Sequence, residues 1–250
     1  TLPDQAAALL QRTLELSART GGTLDPTAYS IVRLWGFTTE EYRVPSNEEI
    51  SQVLQVVGPE KVTLNGTEAI LSDGAQIDFG AVAKGYAAEQ CAQMLRQNGV
   101  EAALLSLSGN IQTVGAKPDG TDWEIAIRDP FDTSKTIAML SVTGDAAIVT
   151  SGSYERYFEE NGQIYHHIMN PRTGRPTDSG LVSVTIVADD GFLADGLSTA
   201  LFVMGLDDAI SFWRASNDFE AVLIDSDGTI YVTEGLADRI TCELYQVISR

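Results

Sequence analysis

With two cysteines, two histidines and 16 basic residues among 250, the chain is short of three kinds of side chain, and each shortage closes off explanations. Cys91 and Cys242 stand in no CxxC pair and at no zinc-like spacing, so two buried thiols are the expectation. The 16 Lys and Arg face 35 Asp and Glu, a formal charge of −19 that repels nucleic-acid phosphates and anionic membrane surfaces. An anionic substrate would need a local positive element in such a field: a metal ion, a lysine or a helix N-terminus. No apolar run approaches the ~18 residues of a membrane helix, and no signal peptide or lipidation site is visible. At 44% hydrophobic and 20% charged, the remainder is ordinary for a soluble globular protein with a sizeable core.

Element signals run from the first residues. Pro3 suits a helix first turn, and Leu9, Leu10, Leu14 and Leu16 follow at helical spacing until Gly21-Gly22. Because the chain opens directly on a fold element, an N-terminal trim is expected. Ser46 and Glu49 have capping-box spacing ahead of Ile50, Val53, Leu54 and Val57, with Gly58 as the stop. Strand-like runs are expected at 61–65, 69–72 and 76–79. A third helix follows over 83–98, with Ala87, Cys91, Met94 and Leu95 as its apolar side. Further strands are expected at 102–107, 123–128, 137–142, 146–150 and 181–188. Helices at 193–204 and 207–215, a hairpin over 219–233 turned at Asp227-Gly228, and a last segment at 239–248 complete the order. Helices and meandering strands without regular βα alternation predict an α+β fold. With no linker or repeat, one domain over 1–250 is expected.

Three segments carry chemistry. Both histidines, His166 and His167, stand side by side shortly after Ser151-Gly152-Ser153-Tyr154-Glu155-Arg156 and just before Met169-Asn170-Pro171-Arg172-Thr173-Gly174. Histidine alone titrates near neutral pH without help, so the pair is a catalytic candidate; a strand end with one structurally satisfied imidazole is the plainer alternative. Asp78 to Gly85 forms a small-residue turn into a helix, where first-turn N–H groups and Lys84 would suit a phosphate; a helix–strand contact with a surface lysine is the alternative. Asp195, Ser198 and Thr199 share one helix face, a partial oxygen site for a hard cation or else a capping or solvent-facing polar patch. Gly22-Thr23-Leu24-Asp25-Pro26-Thr27 and Trp35-Gly36-Phe37 are turns able to line a planar-ring pocket, although isolated aromatics are usually core.

Taken in order, Gly22 to Thr27, Leu34-Trp35-Gly36-Phe37, Pro45-Ser46, residues 77–89, 150–156, 167–176, Ser183-Val184-Thr185 and 194–205 resemble the ApbE family of flavin transferases over nearly the whole chain. The resemblance implies a T-fold-related α+β domain that uses FAD and Mg2+ to attach FMN, through a phosphoester, to a Ser or Thr of an acceptor protein, releasing AMP. It further implies a metal site of Asp195, Ser198, Thr199 and the main-chain oxygen of Ala81. His167 stands as the base, with His166 a bystander, and Thr23, Leu24, Asp25, Asp78, Lys84 and Met169 at FAD-contacting positions. Ser108-Gly109 precede Asn110 where the family usually has two glycines, and Ser153 and Asn170 stand where it often has Asp. The family is typically exported and often lipid-anchored at the outer face of the bacterial inner membrane, with a leading segment that helps form the flavin pocket. Two alternatives remain open: a Mg-dependent FAD pyrophosphatase and a non-catalytic flavin-binding module.

Overall fold

The computed structural model describes residues 1–72 and 74–250, and their contacts divide the chain into two compact units. The first comprises Thr1–Ala81 and Arg156–Asp178, the second Val82–Glu155 and Ser179–Arg250.

In the first unit, helix α1 (Asp4–Arg19) starts after Pro3 as expected and buries Leu9, Leu10 and Leu16. A short helix that the sequence reading missed, α2 (Tyr29–Leu34), is launched from a 3-10 turn at Pro26–Ala28. It is too short to show a period, and it begins without a side-chain cap. The capping box opens α3 (Asn47–Val53): Glu49 N–H donates to Ser46 Oγ at 3.3 Å and Ser46 N–H to Glu49 Oε2 at 2.8 Å. The helix tightens into a 3-10 turn over Leu54–Val56, so it stops earlier than the apolar spacing suggested.

Strands Val62–Asn65 and Glu68–Leu71 form a hairpin, as do Tyr157–Glu160 and Gln163–His166. Trp35, Phe37, Ile31, Ile50 and Met169 make one apolar cluster of this unit, with Phe158 and Tyr165 packed against it. Trp35 and Phe37 are therefore core residues, and Trp35 Nε1–H donates to the Gly174 carbonyl at 2.8 Å.

The second unit is three-layered. Its middle is a seven-stranded sheet, in spatial order Gln246–Ile248, Ile230–Thr233, Glu220–Asp225, Leu181–Ala188, Ala146–Gly152, Asn110–Val114 and Ala103–Leu107. All neighbours run antiparallel except the first pair. One face packs on a small sheet of Trp123–Arg128, Thr136–Val142 and Ile240–Thr241 through Ile125, Leu140, Ile148, Val222 and Val232. Against the sheet also lie helices α4 (Ala83–Gln97) and α5 (Gly191–Met204), followed by α6 (Leu206–Arg214). This is the expected α+β arrangement.

Two expectations fail for physical reasons. Residues 76–79 are not a strand: the Asp78 N–H donates to the Pro26 carbonyl, and the Asp78 side chain accepts from the Gly80 N–H, which makes a turn. Helix α4 buries Gly85, Ala88 and Ala92, whereas Cys91 and Met94 are exposed and Cys242 is partly so. Small residues win this face because α4 lies close to α5. A Cβ on Gly85 would stand 2.0 Å from the Gly191 carbonyl oxygen and 2.6 Å from Asp195 Cβ. Backbone cannot yield as a flexible side chain would, so Gly85→Ala is expected to lower stability by about 1–3 kcal/mol, read as a lower denaturation midpoint with unchanged m-value.

Candidate functional site

The centre of the second unit is a polar patch under the crossing of α4 and α5. Asp190 caps α5 by accepting from the Leu193 N–H at 2.9 Å, which places Asp195 one turn inside the helix, buried at 4% exposure. Its Oδ2 accepts from the Gly85 N–H at 2.8 Å. That contact corrects two readings. The Asp195 face is neither a cap nor solvent-facing, and the Gly85 N–H, one of the first-turn donors of α4, is directed at a carboxylate rather than left open for a phosphate. Lys84 is exposed and donates from Nζ to the Ser108 carbonyl at 3.1 Å.

Around Asp195 stand hydroxyls and amides. Ser198 Oγ is fully buried, donates to the Asp195 carbonyl at 2.8 Å and meets Ser151 Oγ at 2.7 Å; Thr199 Oγ1 lies 3.4 Å from Ser151 Oγ. Strand Asn110–Val114 buries the side chains of Asn110 and Gln112. Burial pushes the Asp195 carboxyl above its ordinary range, opposed by the Gly85 N–H, the Asn110 amide and the charge of Lys84.

Among the described residues no three of His, Cys, Asp and Glu come together as a metal centre. A cation at Asp195 would have one carboxylate and neutral oxygens, a donor set that suits a hard ion keeping waters and phosphate oxygens as its other ligands. Asp195 fits that role because a buried carboxylate held by backbone N–H groups and neighbouring dipoles, with an exposed lysine as its one nearby positive charge, is left without a full counter-charge.

The flavin and base candidates Thr23, Leu24, Asp25, Asp78, His167 and Met169 fall in the first unit, as does Ala81, its last residue before the chain enters the second. Asp25 caps the 3-10 turn, its Oδ1 accepting from Thr27 N–H at 2.8 Å and Thr27 Oγ1–H at 2.6 Å. Thr27 Oγ1 accepts in turn from the Gly58 N–H at 2.7 Å, and the Asp78 N–H reaches the Pro26 carbonyl, so these loops are tied into one piece. Burial raises the carboxyls of both Asp25 and Asp78. Thr23 Oγ1 donates to the Thr20 carbonyl, while Leu24 and Met169 are buried.

The histidines differ sharply. His166 is buried; its Nδ1 accepts from the Ile168 N–H and its Nε2 donates to the Thr177 carbonyl at 2.9 Å. Burial holds this neutral ring below the usual imidazole range, consistent with a structural part. His167 Nδ1 lies 3.2 Å from the Arg156 carbonyl oxygen, which also accepts the His167 backbone N–H at 3.0 Å. A carbonyl only accepts, so Nδ1 carries a proton, and in the neutral ring the lone pair is then on Nε2, the tautomer of a general base.

The profile of the ApbE family matches residues 1–223. The FAD:protein FMN transferase of Treponema pallidum is 32% identical over 249 residues, covering 93% of this chain and 69% of that protein. That of Klebsiella pneumoniae is 35% identical, covering 81% and 63%.

The chain belongs to the ApbE family.

Among solved structures, the ApbE protein of Thermotoga maritima superposes with a TM-score of 0.88 at 33% identity, covering 94% of this chain and 77% of that one. The flavin transferase ApbE of Vibrio cholerae gives 0.81 at 32% identity, covering 95% and 77%. The chain spans about two thirds of the length of the first curated ApbE relatives it matches, between 63% and 69%. The polar residues at this patch that sequence reasoning passed over as site candidates are Asn110, Gln112 and Ser151. The available signal was the alternation of Asn110 and Gln112 with apolar Ile111 in a strand, which marks a polar side chain on a face that the fold buries.

Protonation of Asp195 links the site to stability. Because its folded-state value is raised, its favourable contribution is complete below the unfolded value of 3.8 and is lost as pH rises through the higher folded value. Asp195→Asn is therefore expected to melt like the parent at acid pH and above it as pH rises, in metal-free protein followed by calorimetry. An advantage at acid pH that vanished on raising the pH would contradict this.

Proposed function

We propose that this chain transfers FMN from FAD to a Ser or Thr hydroxyl of an acceptor protein, with Mg2+ and with release of AMP. The observation that carries the reading is the carboxylate of Asp195, buried on a motif position of this family and held by backbone N–H groups and dipoles with only an exposed lysine for counter-charge. Family membership and the names of the relatives support the coarser part of this reading, transfer of FMN from FAD to a protein. Asp195 would hold the cation, with Ser198, Thr199 and the main-chain oxygen of Ala81 as the remaining protein oxygens. When bound, Mg2+ would supply positive charge for the FAD pyrophosphate and for the leaving AMP, in a chain whose own charge is −19.

The chain's own residues supply the rest. Thr23, Leu24, Asp25, Asp78, Lys84 and Met169 bind FAD. Nε2 of His167 takes the acceptor hydroxyl proton as the new O–P bond forms to the FMN phosphorus and the P–O bond to AMP breaks. The Arg156 carbonyl keeps that imidazole in the required tautomer. The proposal includes an exported location at the outer face of the inner membrane, as the family resemblance suggests.

Two outcomes test it. Incubated with FAD, Mg2+ and a peptide bearing an Asp-x-x-x-Gly-Ala-Thr-like sequence, the protein should add an FMN phosphoester to the peptide, detected by mass spectrometry and abolished by chelator. Free FMN and AMP with an unmodified peptide would make it a pyrophosphatase, and no turnover at all would leave a flavin-binding module. His167→Ala should retain FAD binding in fluorescence titration and lose transfer by about 10²–10⁴-fold; equal loss of both would remove His167 from the role of base.

A further inference from the structure

Asn110 is 1% exposed, and neither Nδ2 nor Oδ1 of its side chain makes a hydrogen bond of ordinary length and angle among the described residues, although the amide stands close enough to the Asp195 carboxylate to interact with it. Buried amides are almost always satisfied, so one that is open at both ends needs a reason. Its backbone is held on both sides: Asn110 opens its strand, pairing with Leu107 across the Ser108-Gly109 turn and with Val149 on the other side. Strand alternation puts it on the same face as Gln112, whose Oε1 is also buried without a partner, and opposite Ile111, which packs into the apolar cluster of the two sheets. The face that carries the two amides is therefore the one turned to α4 and α5. There Gln112 Oε1 comes within 3.1 Å of where a Gly191 Cβ would stand, and the Asn110 amide is near enough to the Asp195 carboxylate to favour its ionised form.

We propose that Asn110 is a positioning residue for the Asp195 carboxylate, its amide closing its hydrogen bonds when a divalent cation is held there. This rests on the reading of Asp195 as a cation ligand. Oδ2 of Asp195 accepts the Gly85 N–H, and that bond to one oxygen does not by itself fix the plane of the carboxylate. A donor at Nδ2 fixes that plane and the lone pairs offered to the ion. Oδ1 is then an acceptor for a water of the ion's hydration shell. A leucine of similar size would fill the same space and leave no unmet polar atoms, so packing alone does not explain an asparagine here.

The test uses the whole chain, stripped of metal, and Mn2+ alone as the probe, with free Mn2+ followed by its electron paramagnetic resonance signal. Asn110→Leu is expected to weaken Mn2+ binding by about tenfold to a hundredfold, while the thermal midpoint of the metal-free protein stays at or above the parent's. Asn110→Ser, which keeps a short donor, should fall between the two and serves if the leucine variant does not fold. Equal Mn2+ affinity of parent and variants would overturn the positioning role and leave the cation reading standing. No Mn2+ binding by the parent, with Asp195→Asn indistinguishable from it, would instead overturn the cation reading and this inference with it.

Discussion

The bond from the Gly85 N–H to the Asp195 carboxylate, 2.8 Å long, sets the terms for the rest of the second unit. It exists only because α4 and α5 approach with glycine facing glycine, so that Gly85 stands against the Gly191 carbonyl where any Cβ would collide. That approach in turn dictates the small-residue stripe of Gly85, Ala88 and Ala92 and leaves Met94 and Cys91 on the outside. A carboxylate so enclosed resists ionisation, and the surroundings offset this only in part: backbone N–H groups of Gly85 and Lys84, one amide and one exposed lysine charge. Such an imbalance is what a site meant for a positive ion would show before the ion arrives.

The first unit solves a different problem. Its loops must hold their shape without regular structure, and they do so through side-chain bonds to the backbone: Asp25 to Thr27, Thr27 to Gly58, Asp78 to Gly80. The two histidines show how one sequence neighbourhood serves two ends. His166 fills its hydrogen-bonding capacity inside the fold, whereas the next residue is turned so that one carbonyl fixes its proton on Nδ1. The strand Gln163–His166 ends at the first histidine, so the chain turns between the two and sets the imidazoles in different surroundings.

What was legible in the sequence follows the strength of local signals. Leu181–Ala188 was read to the residue because eight consecutive strand-forming positions end in turn formers, and α3 was placed by its capping box. Asn110–Val114 was missed because three of its five residues, Asn110, Gln112 and Thr113, are polar although buried, and α2 because six residues cannot show a helical period. The apolar side of α4 was misread for a tertiary reason: proximity of backbones, which no periodicity encodes, decided which face was buried. The family resemblance reached Asp195 and His167 by motif, whereas their bonding partners, Gly85 at a separation of 110 residues and the Arg156 carbonyl, became visible only in the fold.

The central claim is that the buried carboxylate of Asp195 is a cation site. Anomalous diffraction from crystals of the protein soaked in Mn2+ tests it most directly. The account predicts a strong peak at roughly 2.1–2.2 Å from an Asp195 carboxylate oxygen, near the values for Mg2+ and other small hard divalent ions. A well-occupied peak elsewhere, with Asp195 bonded only to Gly85 and its neighbours, would contradict it.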